Sequence, residues 1–423
     1  MTGSNDTAAP VAEVQNLSVD DAAQNVTQNV TPWDVEGAVV DGKPQPINYD
    51  NLVKNFGTRV IDAALLERFE KVTGHRPHKL LRRGVVFSHR DLGQILDRHE
   101  QGKPFYLYTG RGPSSGNMHI GHMLPLTFCK WLQDVFDVPL VIQLTDDEKF
   151  LFKPKLTIDE VYENAAKAVL ELAAIGFRPE KTFIFSDLDF MGGMFYRNIL
   201  AISRSITFNQ AKATFGFDNS TQIGRINFPS VQIAPAFCST FPEIFGARKD
   251  IPCLIPCAID QDPYFRLARD VALPLKHKKP ALIHSKFLSA LQGTTSKMSS
   301  SVDSPAIFMN DTPAQIKNKI NRHAFSGGQT SLEEHRKYGG NPDVDVPYQY
   351  LTYFLDDDDE IAALADGYRK GEITTGEMKA RCIKVLQEFI GEIQERSKTI
   401  TDQLLKDLRD PSFPRKFASL EKK

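Results

Sequence analysis

Two histidines beside a glycine-rich turn form the most informative part of this 423-residue sequence. Residues 108–122 read Tyr-Thr-Gly-Arg-Gly-Pro-Ser-Ser-Gly-Asn-Met-His-Ile-Gly-His. The pattern predicts a strand, a turn and then a helix opening at Met118, which would aim backbone N–H groups at a bound phosphate. His119 and His122 share one helical face because they are three residues apart, and Gly121 leaves space for a flat ring against the backbone. Both imidazoles can therefore reach one polyphosphate.

A lysine in a small, hydroxyl-rich segment is the second candidate. Lys297 stands in residues 296–301, Ser-Lys-Met-Ser-Ser-Ser, just after the last predicted strand. A lysine on a mobile loop can swing over a pyrophosphate and neutralise the charge that grows in the transition state. Taken singly, the first motif could be a helix start with solvent-facing histidines, and the second an exposed loop. The two motifs together, in this order and topology, are a specific signal.

The elements that must position these residues have the pattern of an α/β protein. Short apolar runs alternate with helical stretches, which is typical of a parallel sheet with crossover helices. The runs are residues 105–108, 140–144, 182–185, 253–259 and 281–284. We predict a Rossmann-type parallel-sheet catalytic domain at 105–304, with an insertion at about 190–250, followed by a helical C-terminal domain at 305–423.

The N-terminal region divides into two parts. Residues 1–45 are rich in Ala, Asp, Asn, Gln, Thr and Val, and we predict a disordered tail. Residues 46–104 form an appended segment that contains an amphipathic helix ending near Gly74. Its apolar positions recur at helical spacing, at Val60, Ile61, Ala64, Leu65, Phe69 and Val72.

Composition restricts the class of protein. Because the formal net charge is −2, a nucleic-acid partner must be held by a local basic face. No Lys or Arg precedes Lys43, which argues against a secretory signal or a mitochondrial transit peptide. No apolar run approaches the ~20 residues that cross a bilayer. We expect a cytoplasmic protein that does not contact a membrane.

The five cysteines do not suggest a metal site or a disulfide framework. They are scattered and odd in number, which suits a reducing compartment. Cys253 and Cys257 stand four residues apart, but the run around them is apolar and no second Cys/His pair is near. We predict buried strand residues and no metal ligands.

The two motifs resemble the HIGH and KMSKS signatures of class I aminoacyl-tRNA synthetases. Residues 145–149, 258–265 and 323–328 also resemble those of the eukaryotic cytoplasmic tryptophanyl-tRNA synthetases, and the resemblance runs from about Tyr49 to the C-terminus. It implies a tryptophan–tRNA ligase that uses ATP and Mg²⁺ to convert L-tryptophan to tryptophanyl-adenylate and pyrophosphate. The ligase would then transfer tryptophan to tRNA(Trp) in cytoplasmic translation. The resemblance further implies a homodimer formed through the insertion and anticodon binding by the helical domain, with tRNA and not DNA as the nucleic acid.

The resemblance also assigns roles residue by residue. Catalytic roles fall to His119, His122, Lys297 and Arg111. ATP binding falls to Thr109, Gly110, Arg111, His119, Gly121, His122, Lys297, Met298, Ser299 and Ser300. Tyr108 and Gln143 would lie near the indole N–H, while Glu148, Gln232 and Gln261 would hold the ammonium. All of these tryptophan-binding residues except Gln232 lie at or just past the end of a predicted strand, where α/β sheets build sites.

The implied reaction needs no general base. An amino-acid carboxylate is ionised at neutral pH and can attack the α-phosphorus of ATP once it is aligned with the departing pyrophosphate. The chain then contributes positioning and charge neutralisation. The KMSKS pattern has a second lysine where this sequence has Ser300, so the phosphate charge must rest on Lys297, on Arg111 or on backbone donors.

Three other interpretations stay open. Tyrosyl-tRNA synthetases share the fold class and can carry Lys-Met-Ser-Ser-Ser, although the Gly-Arg-Gly-Pro-Ser-Ser turn and the Thr-Asp-Asp-Glu segment argue against them. Small-molecule nucleotidyltransferases use a similar helix start, but the ~120 helical residues after the second motif fit a macromolecular substrate better. A non-catalytic relative should have lost a motif residue, whereas His119, His122 and Lys297 are all present.

Overall fold

The computed structural model describes residues 28–33, 35–40, 43–114, 116–298 and 305–415, with only the backbone described at 43–44 and 294–297. It begins with four short strands, β1 (Asn29–Val30), β2 (Val35–Glu36), β3 (Val39–Val40) and β4 (Lys43–Pro44). β1 pairs with β2 and β3 with β4, both antiparallel. The predicted tail at 1–45 lies largely outside the described residues, but its described part includes the strands β1 to β4.

The appended segment adds four helices and two strands. These are α1 (Tyr49–Phe56), β5 (Arg59–Val60), α2 (Ala63–Thr73), α3 (Lys79–Arg82), β6 (Val86–Arg90) and α4 (Leu92–Glu100). The predicted amphipathic helix is α2, but Val60 lies on β5. The helix begins only at Ala63 because the Asp62 side chain accepts a hydrogen bond from the Leu65 N–H and caps it. Gly74, at φ 70°, ends it.

The catalytic region alternates strands with helices as predicted. It contains β7 (Tyr106–Arg111), α5 (Ile120–Phe136), β8 (Leu140–Leu144), α6 (Asp146–Phe152), α7 (Ile158–Ile175) and β9 (Thr182–Ser186). The insertion follows with α8 (Asp187–Phe190), α9 (Gly193–Ser205), α10 (Phe208–Phe215), α11 (Ile223–Ile233) and α12 (Pro242–Phe245). The chain then returns through β10 (Cys253–Ala258), α13 (Asp262–Ala272), β11 (Ala281–Ser285) and the hairpin strands β12 (Ser289–Ala290) and β13 (Gly293–Lys297).

Seven strands form the central sheet in the order β5-β6-β11-β10-β7-β8-β9. The five strands from β11 to β9 are parallel, which confirms the predicted Rossmann-type sheet, whereas β6 and β5 are antiparallel additions at one edge. The sequence did not indicate β6 because its last three residues are polar. Inside the sheet one of them, Ser88, hydrogen-bonds the buried His284 on β11, with Oγ 3.0 Å from Nδ1.

Side chains alternate between two cores along the central strands. Leu107 and Ile142 face a core that continues through α5 and α7 into the helical domain. Tyr108 and Val141, which are register partners, face the core built with the insertion helices. Since strand side chains alternate with period two, Gln143 lies on the same face as Tyr108. The sheet thus places two polar side chains of adjacent strands side by side.

The described part of the helical domain, residues 305–415, contains six helices. They are α14 (Pro313–His323), α15 (Leu332–Tyr338), α16 (Val346–Phe354), α17 (Asp358–Arg369), α18 (Thr375–Ser397) and α19 (Asp402–Arg409). The acidic run Asp356–Glu360 leads into α17 and is also an interdomain contact. The Asp358 carboxylate lies 2.7 Å from Arg82 and 2.6 Å from Arg83, so α17 is tied to the appended segment.

The five cysteines are free thiols, and Cys253 and Cys257 lie on β10 as predicted. Within the described ranges, none of the helices combines the length and the apolar character that crossing a membrane requires.

Candidate active site

A cavity of about 340 Å³ opens where the carboxyl ends of β7, β8 and β10 meet the first turn of α5. Ten of the predicted site residues line it, namely Thr109, Gly110, Arg111, His119, Gly121, His122, Glu148, Gln232, Gln261 and Met298. Tyr108 and Gln143 are buried directly behind it. Ser299, Ser300 and the side chain of Lys297 lie outside the described residues. The structure therefore brings residues from distant parts of the sequence around one space, and their binding roles stay predictions.

The two histidines of the first motif stack on each other. Their ring centroids are 3.5 Å apart, with planes 25° from parallel. The helix begins at Ile120, two residues later than predicted, and the His119 backbone N–H points to Nδ1 of His122 at 3.4 Å. A ring nitrogen that accepts a hydrogen bond is unprotonated, so in the neutral ring Nε2 carries the proton. That N–H is a donor suited to a phosphate oxygen.

The glycine of the first motif sits against one of these rings. A side chain at Gly121 would place its Cβ 3.0 Å from the Cε1 and Nδ1 atoms of His119. The sequence predicted space for a flat ring here, and in the structure that ring belongs to His119. Any larger residue at this position would displace the stacked pair.

Backbone hydrogen bonds tie the first motif to residues 307–309, which follow the second motif in the sequence. The Ile120 N–H donates to Ile307 O at 2.9 Å, and the Met309 N–H donates to Met118 O at 2.8 Å. Lys297 is the last residue of β13, so it stands at a strand end and not on an open loop. The next residue, Met298, is buried and donates its N–H to Leu288 O at 2.8 Å. The backbone at Lys297 is thus anchored on both sides.

Arg111 is a buried positive charge at the same end of the cavity. Its Nη1 donates to Gly112 O at 2.5 Å. Burial lowers the pKa of Arg111 to about 10, while Glu171 and Glu148 oppose that shift. The guanidinium is therefore charged at neutral pH. Glu171 in turn accepts from the Met118 N–H at 2.9 Å, which places it at the start of the motif helix.

A chain of hydrogen bonds crosses the opposite end of the cavity. The Tyr108 hydroxyl lies 2.5 Å from Gln143 Oε1 and 2.8 Å from the backbone oxygen of Gln232. Gln232 Nε2 donates to the Tyr108 oxygen at 2.8 Å. Gln143 Nε2 donates to both carboxylate oxygens of Asp187, each at 2.9 Å. Asp187 is fully buried, and the sequence did not single it out.

Glu148 and Gln261 complete this end of the cavity. Glu148 is buried, and one of its carboxylate oxygens lies 2.5 Å from Nζ of Lys149. Gln261 ends a short 3-10 turn, Ile259–Gln261, after β10. The side chains offer a carboxylate and amide oxygens to a cationic group, although Lys149 must share Glu148 with it.

A tryptophan from the predicted tail also lines the cavity. The Trp33 ring stacks on Phe152 with centroids 5.1 Å apart, and it contacts Phe217 and Tyr264 at 5.6 and 6.3 Å. This part of the tail is structured, in contrast to the prediction, because the ring finds an aromatic cluster that is far away in sequence. Composition offered one sign that this residue is packed against the protein, since Trp33 is the lone Phe, Tyr or Trp among the first 45 residues.

Comparisons with known proteins agree with this geometry. A family model described as tRNA synthetases class I (W and Y) matches residues 100–391. The cytoplasmic tryptophan–tRNA ligase of Schizosaccharomyces pombe is 60% identical over 385 residues, which are 91% of this chain and 98% of that protein. The human cytoplasmic tryptophan–tRNA ligase is 53% identical, covering 92% of this chain and 82% of that protein. A crystal structure of a tryptophanyl-tRNA synthetase from Encephalitozoon cuniculi bound to tryptophan superposes with a TM-score of 0.80 at 44% identity, covering 87% and 99%.

Proposed function

The chain belongs to the tryptophan and tyrosine family of class I tRNA synthetases, and on that premise we propose that it is a cytoplasmic tryptophan–tRNA ligase. It activates L-tryptophan with ATP, releases pyrophosphate and transfers tryptophan from the adenylate to tRNA(Trp). One observation carries the choice of amino acid. The buried Tyr108–Gln143 pair offers hydrogen-bond acceptors directly behind one end of a cavity whose other end holds two stacked histidines and a buried arginine.

ATP occupies the end of the cavity formed by the first motif. The Nε2–H of His122 and the guanidinium of Arg111 supply fixed donors and positive charge for the phosphates. Lys297, at the end of β13, adds a charge that acts as pyrophosphate departs. These groups stabilise charge without transferring a proton, which suits a nucleophile that is already ionised.

Mg²⁺ accompanies ATP, where it neutralises charge on the phosphates. Magnesium keeps several waters and is usually bound through substrate phosphates and one or two carboxylates. Among the described residues, the first-motif end of the cavity presents His119, His122 and Arg111, which do not favour a cation. The site therefore fits an ion that the phosphates carry in and does not resemble a magnesium cage built by the chain.

Tryptophan occupies the other end. Its indole N–H and its ammonium are both hydrogen-bond donors with no acceptor, so each requires an oxygen. Tyr108 and Gln143 serve the indole, while Glu148, Gln232 and Gln261 serve the ammonium. The carboxylate of tryptophan then points toward the histidines, where the α-phosphorus lies in line for attack.

Pyrophosphate exchange into ATP, run against each of the twenty amino acids, tests the proposal. We expect exchange with tryptophan. Replacing Gln143 by Leu should raise the tryptophan KM by at least about tenfold, since it leaves a buried donor unpaired at a cost of ~1–3 kcal/mol. Comparable exchange with tyrosine in the unmodified protein would overturn tryptophan as the substrate and would leave the synthetase class standing.

The insertion supports a homodimer. Leu200 is 51% exposed on α9, and Tyr196, one helical turn earlier, is half exposed on the same face. Ile223 and Phe208 are further exposed apolar residues of the insertion. Exposed apolar side chains that share a helix face, as Tyr196 and Leu200 do, mark protein contacts. Light scattering coupled to size exclusion should give twice the mass of one chain, and Leu200→Asp should reduce it to one chain; a monomeric unmodified protein would contradict the dimer.

The helical domain at 305–423 is the proposed site of anticodon binding. Several of its basic residues are engaged within the chain, since Arg381 pairs with Glu360 and Arg336 donates to Gly371 O. Tyr338 is 64% exposed, with Nζ of Lys337 over its ring at 4.9 Å from the centroid. Exposed aromatic and cationic side chains bind unstacked RNA bases. Tyr338→Ala should weaken tRNA binding, measured by filter retention, without changing tryptophan-dependent exchange.

A further inference from the structure

We propose that Asp187, which does not line the cavity, sets the preference for an indole N–H by fixing the amide of Gln143 with its oxygen toward the substrate. The inference rests on the proposed function, because it concerns how the same cavity recognises tryptophan. Asp187 acts through Gln143 and is a positioning residue.

The direction of the hydrogen bonds around Gln143 follows from its neighbours. Gln143 Nε2 lies 2.9 Å from both oxygens of Asp187, and Oε1 lies 2.5 Å from the Tyr108 hydroxyl. Reversing the amide would leave Oε1 facing the oxygens of Asp187, while the Tyr108 hydroxyl could turn its proton to the Gln232 backbone oxygen 2.8 Å away. Asp187 is therefore the group that selects the orientation with Nε2 toward it, and Oε1 keeps a second lone pair, which the proposed function assigns to the indole N–H.

A second carboxyl group fixes the role of Asp187 in this chain. Asp147 and Asp187 hydrogen-bond each other, and together with Asp146 their oxygens lie within 4.8 Å of one another. Two adjacent carboxyl groups in a buried site share a proton, because they cannot both be ionised. Burial and then Asp147 raise the pKa of Asp187 well above its usual range, whereas burial raises that of Asp147 to about 6.

Asp187 therefore carries the shared proton and donates it to Asp147. Since that proton is engaged, Asp187 can only accept from Gln143. The third carboxylate, Asp146, is occupied separately by the Ser186 hydroxyl and by the Leu188 N–H at 3.2 Å.

The side-chain amide of Gln232, which serves the ammonium group of the substrate, is oriented in the same way. Gln232 uses Nε2 to donate to the Tyr108 oxygen, which leaves its own Oε1 as the group available to a ligand. Gln143 and Gln232 thus both offer oxygens. Tryptophan presents donor-only groups at both places, the indole N–H and the ammonium. The hydrogen bonds that run from Gln232 through Tyr108 and Gln143 to Asp187 therefore leave an acceptor oxygen for each of these two donors.

The experiment compares tryptophan with its sulfur analogue β-(3-benzothienyl)alanine, in which sulfur replaces the indole N–H. Pyrophosphate exchange with the full-length protein gives kcat/KM for each. The unmodified protein should prefer tryptophan by at least about 10²-fold, because an analogue lacking the donor leaves buried acceptors unpaired. No exchange with tryptophan would refute the proposed function itself, and no conclusion about Asp187 would be drawn from its variants.

Asp187→Leu should lower that preference by at least about tenfold, through a higher KM for tryptophan with little change in kcat. Exchange with the sulfur analogue should change less, since the analogue does not use the N–H. Asp187→Asn should keep the preference, because an amide accepts from Gln143 and donates to Asp147 as a protonated carboxyl group does. Asp187→Ala supplies the same comparison should the leucine variant not fold.

Gln133→Leu is the matched control. It removes another buried polar side chain, whose Nε2 donates at 3.0 Å to Lys181 O and at 3.0 Å to the Thr182 hydroxyl at the far end of β9. It should lower stability without changing the preference for tryptophan. The proposal is overturned if Asp187→Leu lowers exchange with both substrates equally, or if Asp187→Asn loses the preference.

Discussion

The imidazole rings of His119 and His122 stack at 3.5 Å, and the backbone N–H of the first donates to Nδ1 of the second. The stack holds the rings parallel, and the hydrogen bond selects the tautomer. Both features are made by the chain's own atoms, so they preorganise the phosphate end of the cavity. Preorganised donors contribute most where charge develops in the transition state.

His122→Ala should therefore slow adenylate formation by roughly 10²–10³ while leaving the KM for tryptophan nearly unchanged. Stopped-flow or rapid-quench measurement of adenylate formation checks this. His75→Ala, at an exposed position after α2, is the control and should behave like the unmodified protein. A rise in the tryptophan KM with normal adenylate formation would place His122 at the wrong end of the cavity.

Lys297→Ala should leave amino-acid binding nearly intact and slow adenylate formation by roughly 10²–10³, because its charge is needed mainly as pyrophosphate departs. Calorimetric tryptophan binding and the exchange rate separate the two effects. Lys278→Ala, at an exposed lysine before β11, is the matched control. A decrease of less than about fivefold in activation would show that the assigned role is wrong.

Trp33→Ala should lower the free energy of unfolding by about 1–3 kcal/mol, because the ring loses its stack on Phe152 and its contact with Tyr264. It should also raise the KM for the substrates, since the ring lines the cavity. Denaturant unfolding and exchange kinetics measure these effects. Val39→Ala, at a residue 61% exposed in the same segment, should change neither. Equal behaviour of the two variants would contradict the docking of Trp33.

The buried His277 should make stability depend on pH. Burial and then Lys249 lower its pKa to about 4, and its Nε2 lies 3.1 Å from Ser239 Oγ. Below pH ~6.5 the unfolded chain takes up a proton that the folded chain accepts only near pH 4. This residue therefore contributes stability above pH ~6.5 and loses it as the pH falls toward 4, by up to about 3 kcal/mol.

Replacing His277 by Gln should flatten that dependence while an amide keeps a contact with Ser239. Denaturant unfolding at pH 7.5 and pH 5 measures it, with His75→Gln at an exposed position as control. If the two variants lose stability equally between the two pH values, the burial of His277 does not produce the effect.

The parts of the fold that the sequence predicted are those set by local periodicity. Residues 140–144 form β8 with the predicted bounds, because a short apolar run between two helical stretches favours a buried strand. In contrast, β6 escaped prediction because Ser88, His89 and Arg90 are polar. Their burial depends on partners far along the chain, such as Asp262, which Arg90 Nε contacts at 2.7 Å.

The same distinction applies to the candidate site. Its motif residues could be found because Gly121, His119 and His122 act within a few positions of each other. Trp33 and Asp187 could not, since each matters only through a neighbour that the sheet brings to it, Phe152 in one case and Gln143 in the other. The resemblance supplied Tyr108 and Gln143, and it said nothing of the carboxyl group behind them.

The hydrogen bond between Ser88 and His284 joins residues 196 positions apart in the chain. At a synthesis rate of ~5–20 residues per second, β6 leaves the ribosome roughly 10–40 s before its partner strand β11 exists. During that interval Val86 lacks its register partner Ser285 on β11. The strands β7, β8 and β9 follow one another and pair directly. Since β11 is the strand that links β6 to the parallel strands, β6 and β5 cannot join the central sheet before β11 has been made.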